Sequence, residues 1–318
     1  MHYTAGEPSD LFLTLQLIFL NYMKITGFSF IRNAIKNDYP IVEAILSILP
    51  VCDEFVIAVG KSDDDTLSLI QNINSAKIRI IETEWDDNLR EGGQTFAIET
   101  DKAYSAISPD TDWAFYIQGD ECVPEKYLPL IKKTMEDSLK DEKIEGLLFK
   151  YLHFYGSYDY IASSRRWYRN EIRILRYGKG VHSYRDAQGF RKDGRKIQVK
   201  PVDAYIYHYG WVKAPKGLSN KVHNFNQFYY PDAPSPENIP EVQEFDYGNA
   251  DRLLKFDGTH PKVMQERIKA LNWKFNFDPL QIKKKMSFRR KALQKLEDLT
   301  GWRVGEYKNY KVLSGQNK

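Results

Sequence analysis

Asp120 and Glu121 follow a short apolar run, in the segment Tyr116-Ile117-Gln118-Gly119-Asp120-Glu121. Two carboxylates fixed at a strand end offer the hard oxygens that Mg2+ or Mn2+ takes, with coordination positions left for water and phosphate. A divalent cation held there neutralises charge on a diphosphate leaving group and orients it. The bland alternative is a solvated strand end or the cap of the next helix. A second acidic group, Asp63, Asp64 and Asp65, follows another apolar run ending at Gly60. It either faces a ligand or supplies the cap of a helix that starts at Thr66. Lys213, Lys216 and Lys221 are spaced along a later segment. They reach phosphate oxygens or are plain surface charges. Arg165-Arg166-Trp167-Tyr168-Arg169, with Arg173 beyond, alternates cations and aromatics. That pattern suits an anionic or sugar-rich acceptor, or structural pairing with carboxylates.

These residues need a scaffold, and the pattern from Met23 supplies one. Ile25–Ile31, Glu54–Val59, Lys77–Glu82 and Trp113–Ile117 read as strands. Between them Tyr39–Leu49, Thr66–Ile73 and Phe96–Ile107 carry apolar residues at helical spacing. Asp38 is placed to cap the first helix, with Pro40 in its first turn. Strand–helix alternation with short connections predicts an α/β fold with a mainly parallel sheet and right-handed crossovers. Ligands then bind beyond the carboxyl ends of the strands. Arg32-Asn33, Gly60 to Asp65 and Gln118 to Glu121 all fall at that edge.

Further along, a helix from Glu125 to about Lys140 precedes strands at Gly146–Phe154, Glu171–Arg176 and Tyr205–Trp211, the last holding His208. Residues 177–200 read as loop-rich, with several Gly and mixed charge. The proline-rich stretch Pro231–Pro240 marks a boundary between a domain at 23–230 and a helical, basic extension at 231–318. In that extension Lys283 to Lys295 forms a basic amphipathic helix, suited to peripheral contact with anionic lipid headgroups or simply solvated. Residues 1–22 read as an N-terminal extension, with Met23 an alternative start. Their apolar run, Leu11–Leu20, is too short to span a bilayer.

Of the 318 residues 28% are charged, net charge is +3 and mean hydropathy is −0.55, as in a soluble protein and too balanced for a dedicated nucleic-acid binder. Cys52 and Cys122 form no zinc or disulfide pattern, which fits a reducing, cytoplasmic setting. A P-loop is absent from the sequence.

From Met23 to about Tyr230 the chain resembles the family-2 glycosyltransferases of the GT-A fold, bacterial surface-glycan type. Phe28-Ser29-Phe30-Ile31-Arg32-Asn33 is similar to that family's first strand and nucleotide-facing loop. Val59 to Thr66 resembles its second acidic motif, and Gln118-Gly119-Asp120 its Asp-x-Asp metal motif. Arg173 to Arg176, Val181-His182 and Ile206 to Tyr209 complete the ordered likeness. The resemblance implies a GT-A (Rossmann-like) sheet flanked by helices, a nucleotide-sugar donor and a glycan or lipid-linked acceptor. It also implies a metal held by Asp120, Glu121 and His208. Arg32, Asn33, Asp63, Asp64, Asp65, Gln118 and Lys213 would then face the donor. An inverting transferase needs a base for the acceptor hydroxyl, and the likeness places Asp186 there, with Glu171 and His182 as competitors. Two departures stand out. Gln118 replaces the first Asp of the metal motif, and Gly60-Lys61 replace an Asp pair that contacts the nucleobase. A catalytically inactive GT-A module that binds carbohydrate or scaffolds a pathway is the alternative reading.

Overall fold

The computed structural model describes residues 22–89, 91–230, 232, 244–247, 250, 252–275 and 287–313. The expectations for residues 1–21, for the proline-rich connection apart from Asp232, and for Lys283–Lys285 lie outside the described residues.

Strands β1 (Ile25–Ile31), β2 (Glu54–Gly60), β3 (Ile78–Thr83) and β4 (Trp113–Tyr116) run parallel in the order β3-β2-β1-β4. The crossovers are helices α1 (Ile41–Ile48), α2 (Thr66–Gln71) and α3 (Gln94–Ser105). Successive strand residues point to opposite faces, so the central strands feed two cores at once. Ile25, Ile31, Phe55, Ile57, Trp113 and Phe115 pack with Ile41, Ala44, Ile45 and Ile48 of α1 on one side. Phe28, Val56, Ala58, Ala114 and Tyr116 pack with Phe96, Ala103 and Tyr104 of α3 on the other. A sheet buried on both faces reads as continuous apolar runs, which is why these strands were legible.

Beyond β4 the chain adds β5 (Glu121–Cys122), α4 (Leu128–Ser138), β6 (Gly146–Tyr155), β7 (Tyr160–Ala162) and β8 (Asn170–Arg176). Strand β8 enters antiparallel between β4 and β6, so this half of the sheet is mixed. Residues 177–200 are not simply loop. They hold a small antiparallel sheet of β9 (Val181–Tyr184), β10 (Gly189–Lys192) and β11 (Arg195–Lys196). Its tight turn is Asp193-Gly194, both at positive φ (48° and 75°), the sequence signature of a type I′ hairpin. Strand β12 (Gln198–Trp211) is twice the expected length and lies parallel to β6, while its far end pairs antiparallel with β5.

Helix α5 (Pro215–Tyr229) follows. The C-terminal part contributes β13 (Leu253–Lys255) beside β7, α6 (Gln265–Lys269), α7 (Phe288–Thr300) and β14 (Lys311–Val312) beside β12. Besides its helices, this stretch therefore completes the main sheet with two strands. The expected α/β sheet, mostly parallel at its core and flanked by helices, is the one observed.

One local expectation fails. Asp38 does not cap α1, whose first residue is preceded by Pro40 without a side-chain cap. Asp38 instead takes positive φ (49°) and its carboxylate pairs with Arg267 of α6 at 2.6 Å. Among the described residues no helix is long and apolar enough to cross a membrane.

Candidate active site

A cleft of about 760 Å³ opens at the carboxyl ends of β1, β2 and β4 and is covered by α5. Arg32, Asn33, Asp63, Gln118, Asp120, Asp186 and His208 line it; Asp64, Asp65, Glu121 and Lys213 do not.

On the β1–β3 side the loops are cross-braced. Asn33, at φ 53°, receives the Asp63 backbone N–H at 2.8 Å and donates to the Asp63 carboxylate at 3.2 Å. Asp64 accepts the N–H groups of Lys36 (2.7 Å) and Thr66 (3.0 Å), so it ties two loops together and is no ligand group. Asp65 precedes α2 without a side-chain cap. Arg32 pairs with Asp87 at 2.6 Å and lies 5.5 Å over the Trp85 ring. Trp85 packs against Phe30, Phe96 and Phe228, giving this end of the cleft an aromatic wall. Trp85 was not singled out from the sequence; its place after β3, a fourth strand end at the ligand edge, is the signal that would have found it.

Asp120 sits at the centre. Its Oδ2 accepts from Lys221 Nζ at 3.0 Å and lies 3.7 Å from His208 Nε2. Burial pushes its pKa up, but the Lys221 ammonium, His208 where acid has protonated it, and Lys213 outweigh that and hold it well below the usual carboxylate range. Glycine at position 210 makes room for this pair, because a Cβ there would stand 2.5 Å from Asp120 Oδ2 and 2.9 Å from the His208 ring and force both to shift.

Glu121, next in the chain, faces the opposite way. It is fully buried and accepts from Arg173 Nε (2.8 Å) and Nη2 (2.7 Å), from the Tyr151 hydroxyl (2.8 Å) and from the Gln118 N–H (3.1 Å). Both oxygens are therefore taken, and the structure gives Glu121 the role of anchor beneath Gln118 in place of the expected metal ligand. Arg173 lies between the rings of Tyr116 and Tyr151 and also donates to Gln118 Oε1 at 3.3 Å. It belongs to this anchor and not to an acceptor patch.

His208 Nδ1 is 3.3 Å from Nδ1 of His153, its register partner on β6. His153 Nε2 lies 2.8 Å from the Tyr168 carbonyl. A carbonyl only accepts, so His153 carries its proton on Nε2 and offers a lone pair at Nδ1. His208 must then donate from Nδ1, which leaves its Nε2 lone pair bare toward Asp120. Burial pushes both imidazoles below the ordinary histidine value, in keeping with neutral rings. This tautomer, assigned from the hydrogen-bond network, is the one a metal ligand requires. No spacing in the sequence points to His153, whose role depends on the pairing of β6 with β12.

Lys213 is turned away from the cleft. It is almost completely buried, donates to the Asp38 carbonyl and stands 5.1 Å from the Tyr39 ring. Burial, with Lys221 nearby, lowers its pKa to about 7. Lys221, one helical face of α5 further on, is the lysine that reaches the cleft.

Asp186 lies between Arg185 and Ala187, both at positive φ (59° and 61°). Its Oδ2 accepts from the Tyr229 hydroxyl at 2.8 Å, and the residue lines the cleft. Gly93 makes room for it, since a Cβ there would be 2.7 Å from the Asp186 Cβ and φ is 72°. Glu171 is buried behind Gln188, which donates to it at 3.1 Å, and His182 is an exposed residue of the small sheet. Neither competitor for the base lines the cleft.

At the end remote from Trp85, Trp167 and Trp211 meet edge to face at 5.6 Å, with Arg166 beside them. Of the arginine cluster, Arg165 pairs with Glu297 and Arg169 with Glu306. Arg166 is exposed and lies in the cleft.

No family model and no curated protein matches the chain. Among solved structures it is similar to S. aureus TarS, with TM-score 0.37 and 14% identity over 64% of this chain and 39% of that one. The 1–349 portion of TarS in complex with UDP gives 0.38 and 14%, over 64% of each chain. Glucosyl-3-phosphoglycerate synthase from Mycobacterium tuberculosis, in complex with Mn2+, UDP and glucosyl-3-phosphoglycerate, gives 0.28 and 20%, over 49% of this chain and 52% of that one. The 4-diphosphocytidyl-2C-methyl-D-erythritol synthase from Anaerococcus prevotii gives 0.31 and 14%, over 49% and 72%. The chain thus spans less than two thirds of both TarS structures.

Proposed function

We propose that the chain is a GT-A glycosyltransferase that moves a sugar from a nucleoside diphosphate sugar to a hydroxyl of a glycan or lipid-linked acceptor, with inversion and with the help of Mn2+ or Mg2+. The observation that carries the reading is the centre of the cleft. There Asp120 and the bare Nε2 of His208 face one another across 3.7 Å beside Lys221. On one side lies the aromatic and acidic wall of Trp85, Arg32, Asn33 and Asp63, and on the other Trp167, Trp211 and Arg166.

The donor set fits a cation shared with a substrate. Among the described residues no group of three or more His, Cys, Asp or Glu could hold a metal by itself. Two protein donors facing a cleft suit an ion that takes its remaining oxygens from a diphosphate and water. When bound, such an ion neutralises charge on the departing diphosphate.

The chain's own groups supply the rest. Trp85 offers a flat face for a nucleobase, and Asn33 and Asp63 offer polar atoms at the same loop junction. Lys221 Nζ is within reach of phosphate oxygens. Asp186, with Oδ2 held by Tyr229, takes the acceptor hydroxyl proton as that oxygen bonds to the anomeric carbon and the bond to the diphosphate breaks. Trp167 and Trp211 offer ring faces to a sugar. The two unpaired buried cysteines suit a cytoplasmic setting.

The test is calorimetric titration of UDP-, GDP- and dTDP-sugars with Mn2+. Asp120→Ala should lose metal-dependent donor binding while staying folded, and Asp186→Asn should bind donor and fail to transfer. Absence of saturable binding to any donor by the folded protein would overturn the enzyme reading.

A further inference from the structure

Helix α7 has two unlike faces. Gln294 and Glu297 are buried against the body. Phe288, Ala292 and Leu299 form the opposite stripe, interrupted by Lys295 between the last two. Phe288 on that stripe is 89% exposed and Leu299 is 76% exposed, the two highest values among the large hydrophobic side chains described. Trp302, just past the helix end, is 64% exposed. Scattered single hydrophobics on a surface need no explanation, but an apolar stripe on one helix face does.

Charge decides what covers it. Arg289, Lys291 and Lys295 flank or interrupt the stripe, all exposed. Asp298, the exposed acid of this helix, is in an ion pair with Arg252 at 2.9 Å. An apolar spine with basic flanks is the arrangement that lies in the headgroup region of a membrane, where apolar side chains enter the acyl boundary and cations meet anionic lipid.

We infer that the outward face of α7 seats the protein on an anionic lipid bilayer. The seat is tied to the cleft through its inner face. Glu297 receives Arg165 at 2.7 Å and Arg303 at 2.7 Å, and Arg303 donates to the Trp167 carbonyl at 2.6 Å. The loop that carries Arg166 and Trp167 is thereby fixed to the helix that rests on the lipid. Where the transferase reading holds, this favours an acceptor presented from that bilayer; the docking itself does not depend on it.

The full chain is to be sedimented with vesicles of pure phosphatidylcholine and with vesicles containing about 30% phosphatidylglycerol, at low and high salt. Binding to the anionic vesicles alone is expected. It should fall about tenfold or more in Phe288→Ser/Leu299→Ser, and to a similar extent in Arg289→Gln/Lys291→Gln/Lys295→Gln. All five side chains are exposed, and circular dichroism with donor titration checks that both variants are folded. No binding to anionic vesicles, or equal binding by parent and both variants, overturns the inference. Concentration-dependent self-association without lipid, abolished in Phe288→Ser/Leu299→Ser, would give the face to a second copy of the chain and overturn it equally.

Discussion

Replacing Glu121 separates an anchor from a metal ligand. The Glu121 carboxylate and the Arg173 guanidinium are both fully buried and joined by two hydrogen bonds of 2.8 and 2.7 Å. Glu121→Leu leaves that cation without its partner, at a cost of about 3–5 kcal/mol for a broken buried pair. It also strips an acceptor from the Tyr151 hydroxyl and the Gln118 N–H, each an orphaned donor costing about 1–3 kcal/mol if water cannot reach it. The loss should therefore fall at the upper end of the pair range. Removing both charges, as Glu121→Leu/Arg173→Leu, should restore much of it, because an apolar pair of similar volume is often as stable as the ions. Urea unfolding followed by circular dichroism gives the four stabilities of the cycle, read as midpoint shifts at constant slope. If Glu121→Leu unfolds within about 1 kcal/mol of the parent while metal-dependent donor binding disappears, the anchor reasoning is wrong and Glu121 is a ligand after all.

Two further outcomes follow from buried groups. Burial, against the pull of Arg173, raises the Glu171 carboxyl to about 8, so between about pH 4.5 and 8 the folded chain holds a proton that the unfolded chain has lost. The contribution of this group to stability falls as pH rises through that window. Glu171→Gln should flatten this part of the profile, gaining relative to the parent at pH 8 and little at pH 5; parallel profiles in urea unfolding would disprove it. His153→Phe should release His208 from its Nδ1–H tautomer, which long-range 15N NMR detects without any metal. It should weaken Mn2+ binding about 10–100-fold, as loss of an outer-shell partner does, and an unchanged His208 tautomer would remove His153 from that role.

The parts of the site that were legible are those fixed by strand ends. Apolar runs buried on both faces located β1, β2 and β4, and residues just beyond them, Arg32, Asn33, Asp63, Gln118 and Asp120, line the cleft. What failed was direction within a locally readable segment. Asp120 and Glu121 are neighbours in extended chain, so their side chains diverge; one reaches the cleft and the other the core. Lys213 and Lys221 look equivalent as a basic series, yet Lys213 follows β12 into the interior. Lys221 shares the helical face of Leu218, Val222 and Phe225 that lines the cleft, a periodicity that could have been read had α5 been recognised. Asp186 was placed by likeness alone, and its flanking positive-φ residues carry no glycine to announce them.

The contact between Lys221 and Asp120 has a consequence for what the cleft admits. The buried carboxylate already has a monovalent counter-ion, delivered by α5 from within the chain at 3.0 Å. A cation that binds the same oxygen takes the place of the ammonium, so its entry there is an exchange and not a simple addition. Sodium or potassium would replace one positive charge by another and gain nothing for the loss of its hydration. A divalent ion brings one charge more than it removes, and frees the ammonium for an anionic ligand beside it. On the proposed reading, this site therefore favours a divalent over a monovalent ion by valence, before size or geometry enters.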